Sequence, residues 1–244
     1  MRKVLCSPGS YIQEEGALSS LAREYGELGS AGAYLIVDPF IDRMYRDRIV
    51  SGFDESDTAY RYEVFGGECS TNEVNRHQAL LSGNDAVIGI GGGKTLDTAK
   101  AVAHFAGLPV IIAPTAASSD APCSRLSVLY TDDGQFDKYL PLPANPNKVV
   151  MDTDLIAKAP ARFLVAGLGD AYATWFEAAA CVKSNAADQK GGGQAHGEGI
   201  PELIQHNKQQ DKPGVVTTKE VAQRSRNRLF QRFRYRNGIS RFRC

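Results

Sequence analysis

Along the first two thirds of the chain, short apolar runs alternate with segments whose apolar residues keep helical spacing, and turn residues separate them. The runs Ala33–Val37, 86–90, 109–114 and 147–152 have the length and branching of buried strands. Residues 60–65 (YRYEVF) alternate in the manner of a strand, and 126–131 (LSVLYT) with Tyr139-Leu140 flank Asp132-Asp133-Gly134, a hairpin signal. Leu18, Leu21, Ala22 and Tyr25 predict a helix over 15–28, and further helices are expected from Phe40, over 72–81, after the glycines at 91–93, and from Ala161. The opening, residues 2–12, predicts a short strand-like piece followed by a turn at Ser7-Pro8-Gly9. Strands and helices in alternation with short connections predict an α/β, Rossmann-like domain: an open parallel sheet under helices, carrying a β-hairpin.

The sharpest local feature is DAVIGIGGGKTLDTAKAVA at 85–103, which reads as strand, glycine turn and helix. A turn without side chains lets backbone N–H groups approach a ligand, and the positive end of the following helix faces the same spot. A phosphate or pyrophosphate is the expected ligand, although tight strand-to-helix turns also use glycine for steric reasons alone. The spacing is neither of the two common phosphate motifs: Gly89 stands four positions before Gly93, and Gly89-x-Gly91 is followed by Gly92 and Gly93.

Asp38, just past a strand, suits a ribose diol and would repel a 2′-phosphate, favouring NAD over NADP; capping the helix from Phe40 is the alternative. In the loop 115–124 the hydroxyls of Thr115, Ser118 and Ser124 could meet phosphate or ribose, and Asp120 a substrate hydroxyl, but such residues are also ordinary loop composition. Asp170 stands in an alanine-rich helical stretch, where a buried carboxylate would need a metal ion or a capping role.

Composition adds limits. The 244 residues carry 28 Lys+Arg and 28 Asp+Glu, so bulk charge favours neither nucleic acid nor membrane. The balance is uneven: residues 1–183 hold 16 basic and 23 acidic residues, residues 184–244 hold 12 and 5. No apolar run reaches the roughly 20 residues of a membrane span, and no secretory leader is evident, so a cytoplasmic location is expected. The five cysteines form no C-x-x-C pair and indicate neither a zinc ribbon nor a disulfide framework. The Arg-rich end with interleaved Phe and Tyr reads as a disordered tail from a truncated or frame-shifted product, or alternatively as a basic arm for nucleic acid.

SPGSYIQ near the start, FGGECSTNEV at 65–74, GIGGGKTLDTAKAVAHF at 89–105, APTAASSDAPCS at 113–124, LPLPANPN at 140–147 and GLGDAYATWFEA at 167–178 together resemble the glycerol dehydrogenases of the iron-containing (group III) alcohol dehydrogenase family. The resemblance covers residues 1–183. It implies an NAD-binding α/β domain over 1–160, the beginning of a metal-binding helical domain over 161–183, and a non-matching tail over 184–244. It also implies roles: Asp38 for the adenosine ribose; Gly93, Lys94, Thr95 and Asp97 for the pyrophosphate and its neighbourhood; Thr115, Ser118, Ser124, Leu126 and Tyr130 for the rest of the dinucleotide. Asp120 matches the substrate-binding aspartate and Asp170 the first ligand of a divalent metal, usually zinc. The implied reaction is NAD-dependent oxidation of glycerol to dihydroxyacetone by a homo-oligomer; the alternative is an inactive NAD-binding remnant without the family's two histidine ligands, for which His196 and His206 are poor substitutes.

Overall fold

The structure, a computed structural model, describes residues 6–184. The basic tail, His196, His206 and the expected strand piece before Ser7 lie outside the described residues. The described residues up to Ala171 form one compact unit, and the part of the last helix from Tyr172 onward falls outside it.

Among the described residues, eight strands and six α-helices follow in order: β1 (Ser10–Glu14), a short 3-10 turn (Ala17–Ser20), α1 (Leu21–Gly26), β2 (Ala33–Val37), α2 (Pro39–Glu55), β3 (Tyr60–Val64), α3 (Thr71–Leu80), β4 (Ala86–Gly91), α4 (Gly93–Ala106), β5 (Val110–Pro114), β6 (Leu126–Tyr130), β7 (Phe136–Pro141), β8 (Lys148–Asp152), α5 (Thr153–Lys158) and α6 (Ala161–Ser184). Six strands form one sheet in the order β1-β8-β5-β4-β2-β3, and every pairing in it is parallel. This is the expected Rossmann-like α/β architecture. The hairpin β6–β7 stands apart as an antiparallel pair with a register shift at Leu129/Tyr130.

Among the described residues a strand over 10–14 follows the Ser7-Pro8-Gly9 turn and pairs with β8. Two differences from the sequence reading have local causes. The first helical segment is a 3-10 turn and then α1, because Gly16 enters it with φ of 85°. The six-residue α5 was not anticipated; Asp152 caps it, accepting from the N–H groups of Asp154 and Leu155.

Alternate residues of the central strands feed two cores. Ala33, Leu35, Val37, Ile88 and Ile90 face one, with Leu18, Leu21, Ile49 and Phe53 from the 3-10 turn, α1 and α2. Tyr34, Ile36, Val87 and Ile112 face the other, with Val74, Leu96, Ala99 and Val102 from α3 and α4. Covered on both faces, β2, β4 and β5 are buried throughout, which is why they read as unbroken apolar runs. Gly89 lets α4 lie close on β4: a methyl group there would stand 2.5 Å from the Cβ of Ala99.

The connections set a switch point. From β2 the chain passes through α2 to β3 on one side, whereas from β4 it passes through α4 to β5 on the other, and β2 and β4 are neighbours. A crevice opens outside the carboxyl ends of such a strand pair, and ligands of parallel sheets bind there. Asp38 and the glycine turn 91–93 occupy its two lips.

Candidate functional site: the crevice at the switch point

The lips are tied together, since Asp38 N–H donates to Ile90 O at 2.9 Å and Thr115 N–H to Gly91 O at 3.0 Å. A methyl group at Gly91 would lie 2.8 Å from both the Cβ of Asp38 and Oγ1 of Thr95, so packing alone demands glycine there. Gly92 is different. Its backbone is ordinary, with φ of −85° and ψ of 179°, and a methyl group on it would meet nothing within 4 Å. A methyl group on Gly93 would meet only the Cβ of Ala121, at 3.8 Å. Neither conformation nor protein packing requires glycine at position 92, where a side chain would enter open space.

That space lies at the start of α4. No side chain caps this helix, and its first internal bond among the described residues is Leu96 N–H to Gly92 O at 3.0 Å. The N–H groups of Gly93, Lys94 and Thr95 therefore remain as donors at the positive end of a 14-residue helix. The neighbouring long helices are finished by their own caps: Asp38 for α2 and Ser70 for α3. An uncapped terminus of this kind offers its free N–H groups and positive dipole end to an anion.

Asp38 is half-buried, and its Oδ1 accepts from Phe40 N–H (2.8 Å) and Ile41 N–H (3.3 Å). The capping role is thus real, yet it occupies one oxygen, and Oδ2 has no partner among the described residues. Lys94 is exposed and paired with Glu68 (2.5 Å), its ammonium 5.0 Å from the centre of the Tyr130 ring. Thr95 is buried, and its hydroxyl has no hydrogen-bond partner among the described residues.

Asp97 faces inward. Its Oδ2 accepts from Val128 N–H at 2.9 Å and its carbonyl from the Ser127 hydroxyl at 2.9 Å, which fastens β6 to α4. The Lys100 ammonium sits 2.8 Å from its Oδ1, off the direction of a good hydrogen bond. Burial pushes the Asp97 carboxyl above the ordinary carboxylate range, against the pull of Lys100. Asp97 is thus engaged by β6 and Lys100 inside the fold, behind the start of α4.

The loop from Thr115 to Arg125 crosses the same edge of the sheet. The hydroxyls of Thr115 and Ser118 have no partner among the described residues, whereas Ser124 Oγ is engaged with Lys100 (3.2 Å) and the carbonyls of Ala121 and Leu126 (both 3.3 Å). Asp120 is exposed, and its carboxylate has no hydrogen-bond partner among the described residues. Its N–H donates to Asp170 Oδ2 at 2.9 Å, and Gly167 of α6 packs directly on the carbonyl of Ala117. Asp170 is exposed rather than enclosed in apolar surroundings, and this backbone N–H is one of its partners.

Lys100 escaped the sequence reading. It is 1% exposed, and its ammonium lies within reach of Asp97, Ala121 O, Ser124 O, Ser124 Oγ and Leu126 O. The available signal was positional: Leu96, Ala99, Lys100 and Ala103 share the helical stripe expected to be apolar.

Among the described residues no three His, Cys, Asp or Glu side chains come together to hold a metal ion. Asp170 and Asp120 approach through a backbone contact, and buried His77 is occupied by Tyr34 (2.8 Å) and Glu73 (3.0 Å). The described residues by themselves do not fit a divalent cation.

Residues 8–153 match the sequence pattern of the family described as iron-containing alcohol dehydrogenase. The chain is 50% identical over 195 residues to a glycerol dehydrogenase of Escherichia coli O6:H1, covering 79% of this chain and 53% of that protein. It is 51% identical over 195 residues to a glycerol dehydrogenase of Pseudomonas putida, with the same coverage of 79% and 53%. A probable glycerol dehydrogenase from Sinorhizobium meliloti superposes with a TM-score of 0.69 at 45% identity, over 75% of this chain and 50% of that one. The chain thus spans about half the length of the curated relatives it matches.

Proposed function

The chain belongs to the iron-containing alcohol dehydrogenase family, and from that premise we propose that the crevice between β2 and β4 binds NAD for the oxidation of glycerol to dihydroxyacetone. The pyrophosphate takes the N–H groups of Gly93, Lys94 and Thr95, with the α4 dipole behind them. The adenosine ribose diol donates to Asp38 Oδ2, and the same carboxylate repels a 2′-phosphate. Thr115, Ser118, Ser124, Leu126 and Tyr130 line the path of the nicotinamide half, of which Thr115 and Ser118 offer uncommitted hydroxyls.

Asp120 accepts from the polyol hydroxyls and orients the secondary carbon toward the nicotinamide. A hydride passes from that carbon to the nicotinamide ring, the hydroxyl proton leaves to solvent, and dihydroxyacetone and NADH result. The family resemblance adds a divalent metal, zinc, with Asp170 as a ligand; because the described residues do not complete a donor set, the chemistry derived from them stops at binding and orientation.

The observation that carries this reading is Gly92, a glycine which neither backbone nor packing requires, at an uncapped helix start. Gly92→Ala tests it. Alanine is a poorer N-cap than glycine but stiffens the unfolded chain, so stability should change by less than about 1 kcal/mol. NADH affinity, read by fluorescence titration, should fall about tenfold or more, or about 1.4 kcal/mol. Unchanged affinity in a folded variant would remove the dinucleotide from this turn.

A further inference from the structure

Lys100 presents a puzzle that the dinucleotide reading leaves open. A lysine 1% exposed in the middle of an apolar helical stripe carries a desolvation cost of several kcal/mol unless its charge is fully met. Among the described residues only one carboxylate, Asp97, meets it; the other partners are the carbonyls of Ala121 (2.9 Å), Ser124 (3.4 Å) and Leu126 (2.5 Å) and the hydroxyl of Ser124 (3.2 Å). These oxygens come from one short stretch, 121–126. A loop that turns its carbonyls onto a single ammonium cannot relax without leaving both charge and carbonyls unpaired.

The stretch is the downstream half of the loop that carries Thr115, Ser118, Asp120 and Ser124. Its grip sits on α4, whose first turn offers the N–H groups proposed for the pyrophosphate, less than two helical turns away. Ala121 also passes near Gly93, 3.8 Å from where a side chain would begin. One helix thus carries the pyrophosphate donors at its start and the anchor of the loop further in, while Asp97 ties β6 to the same helix.

We propose that Lys100 is a positioning residue for the nicotinamide half of the dinucleotide: from inside α4 it holds the loop 115–125 at a fixed place relative to the pyrophosphate turn. This rests on the dinucleotide reading. The adenosine half, held by Asp38 and the turn, does not depend on Lys100.

The test uses the full chain and two probes, NADH and ADP-ribose, which share the adenosine and pyrophosphate groups but differ in the nicotinamide. In Lys100→Met, ADP-ribose affinity should stay within about twofold of wild type while NADH weakens about tenfold toward the ADP-ribose value. Amide hydrogen exchange should quicken over 115–125 and stay unchanged in the second half of α4. If Met at this position prevents folding, Lys100→Gln, which keeps two N–H donors for the carbonyls, should show the same split to a smaller degree. Equal loss of both probes, equal retention of both, or failure of both variants to fold would each overturn the proposal. A wild-type chain that binds ADP-ribose but gains nothing from the nicotinamide would overturn it alone, and a wild-type chain that binds neither probe would overturn the dinucleotide reading beneath it.

Discussion

At the residue scale, Asp38 is a helix cap to which the proposed function gives a second role. In the sequence its two readings, ribose acceptor and helix cap, compete; in the fold Oδ1 makes the cap to Phe40 and Ile41, and Oδ2 has no partner among the described residues, so the proposed ribose role is compatible with the cap. Asparagine caps helices about as well as aspartate, so Asp38→Asn separates them. Melting should move by no more than about 1 kcal/mol in stability, whereas the NADPH-to-NADH affinity ratio should rise about tenfold as the repelling charge goes. A ratio unchanged in the Asn variant would leave Asp38 as a cap only. Lys100 and Asp97 mark the other side of legibility. Charged residues in a helical stripe look like a solvated face until the loop and hairpin that close over them are known, and those partners are 21 to 31 positions away.

At the element scale, β2, β4 and β5 were legible because strands covered on both faces carry no polar interruption, and the hairpin because Asp132-Asp133-Gly134 breaks an alternating pattern. The 3-10 turn and α5 were not, since their lengths are set by caps and entry angles and not by a long apolar period. The loop before β2 is similarly set from a distance: Asp85 accepts from Tyr25 (2.5 Å), Ser30 N–H (2.6 Å) and Ala31 N–H (2.8 Å), and Tyr25 in turn accepts from Gly32 N–H (2.6 Å). Burial would raise the Asp85 carboxyl, but these bonds outweigh it and bring it down to about 2. A carboxyl lowered on folding stabilises the fold fully above its unfolded value near 4, and that contribution is lost as pH falls from about 4 toward about 2. Allowing for the solvent that reaches this group, the loss is about 1 kcal/mol. Urea midpoints followed from pH 6 to pH 2 should therefore fall less steeply below pH 4 in Asp85→Asn than in wild type; parallel curves would show that the cluster does not hold the loop.

At the scale of the whole molecule, the six-stranded parallel sheet brings three distant stretches to one edge: residue 38 after β2, 91–95 after β4 and 115–126 after β5. The order of strands could be expected only in class, because a parallel sheet's neighbours are fixed by crossovers of many residues and not by local pattern. No described helix is long and apolar enough to cross a membrane. The proposed reaction depends on the edge between β2 and β4 gripping the pyrophosphate of NAD. Backbone amide NMR of the labelled chain titrated with NADH reads that grip at the atoms that make it. Saturable shifts concentrated at Gly92, Gly93, Lys94 and Thr95, with Asp38 and Thr115 following, are the predicted result; saturation with those amides unmoved would contradict it.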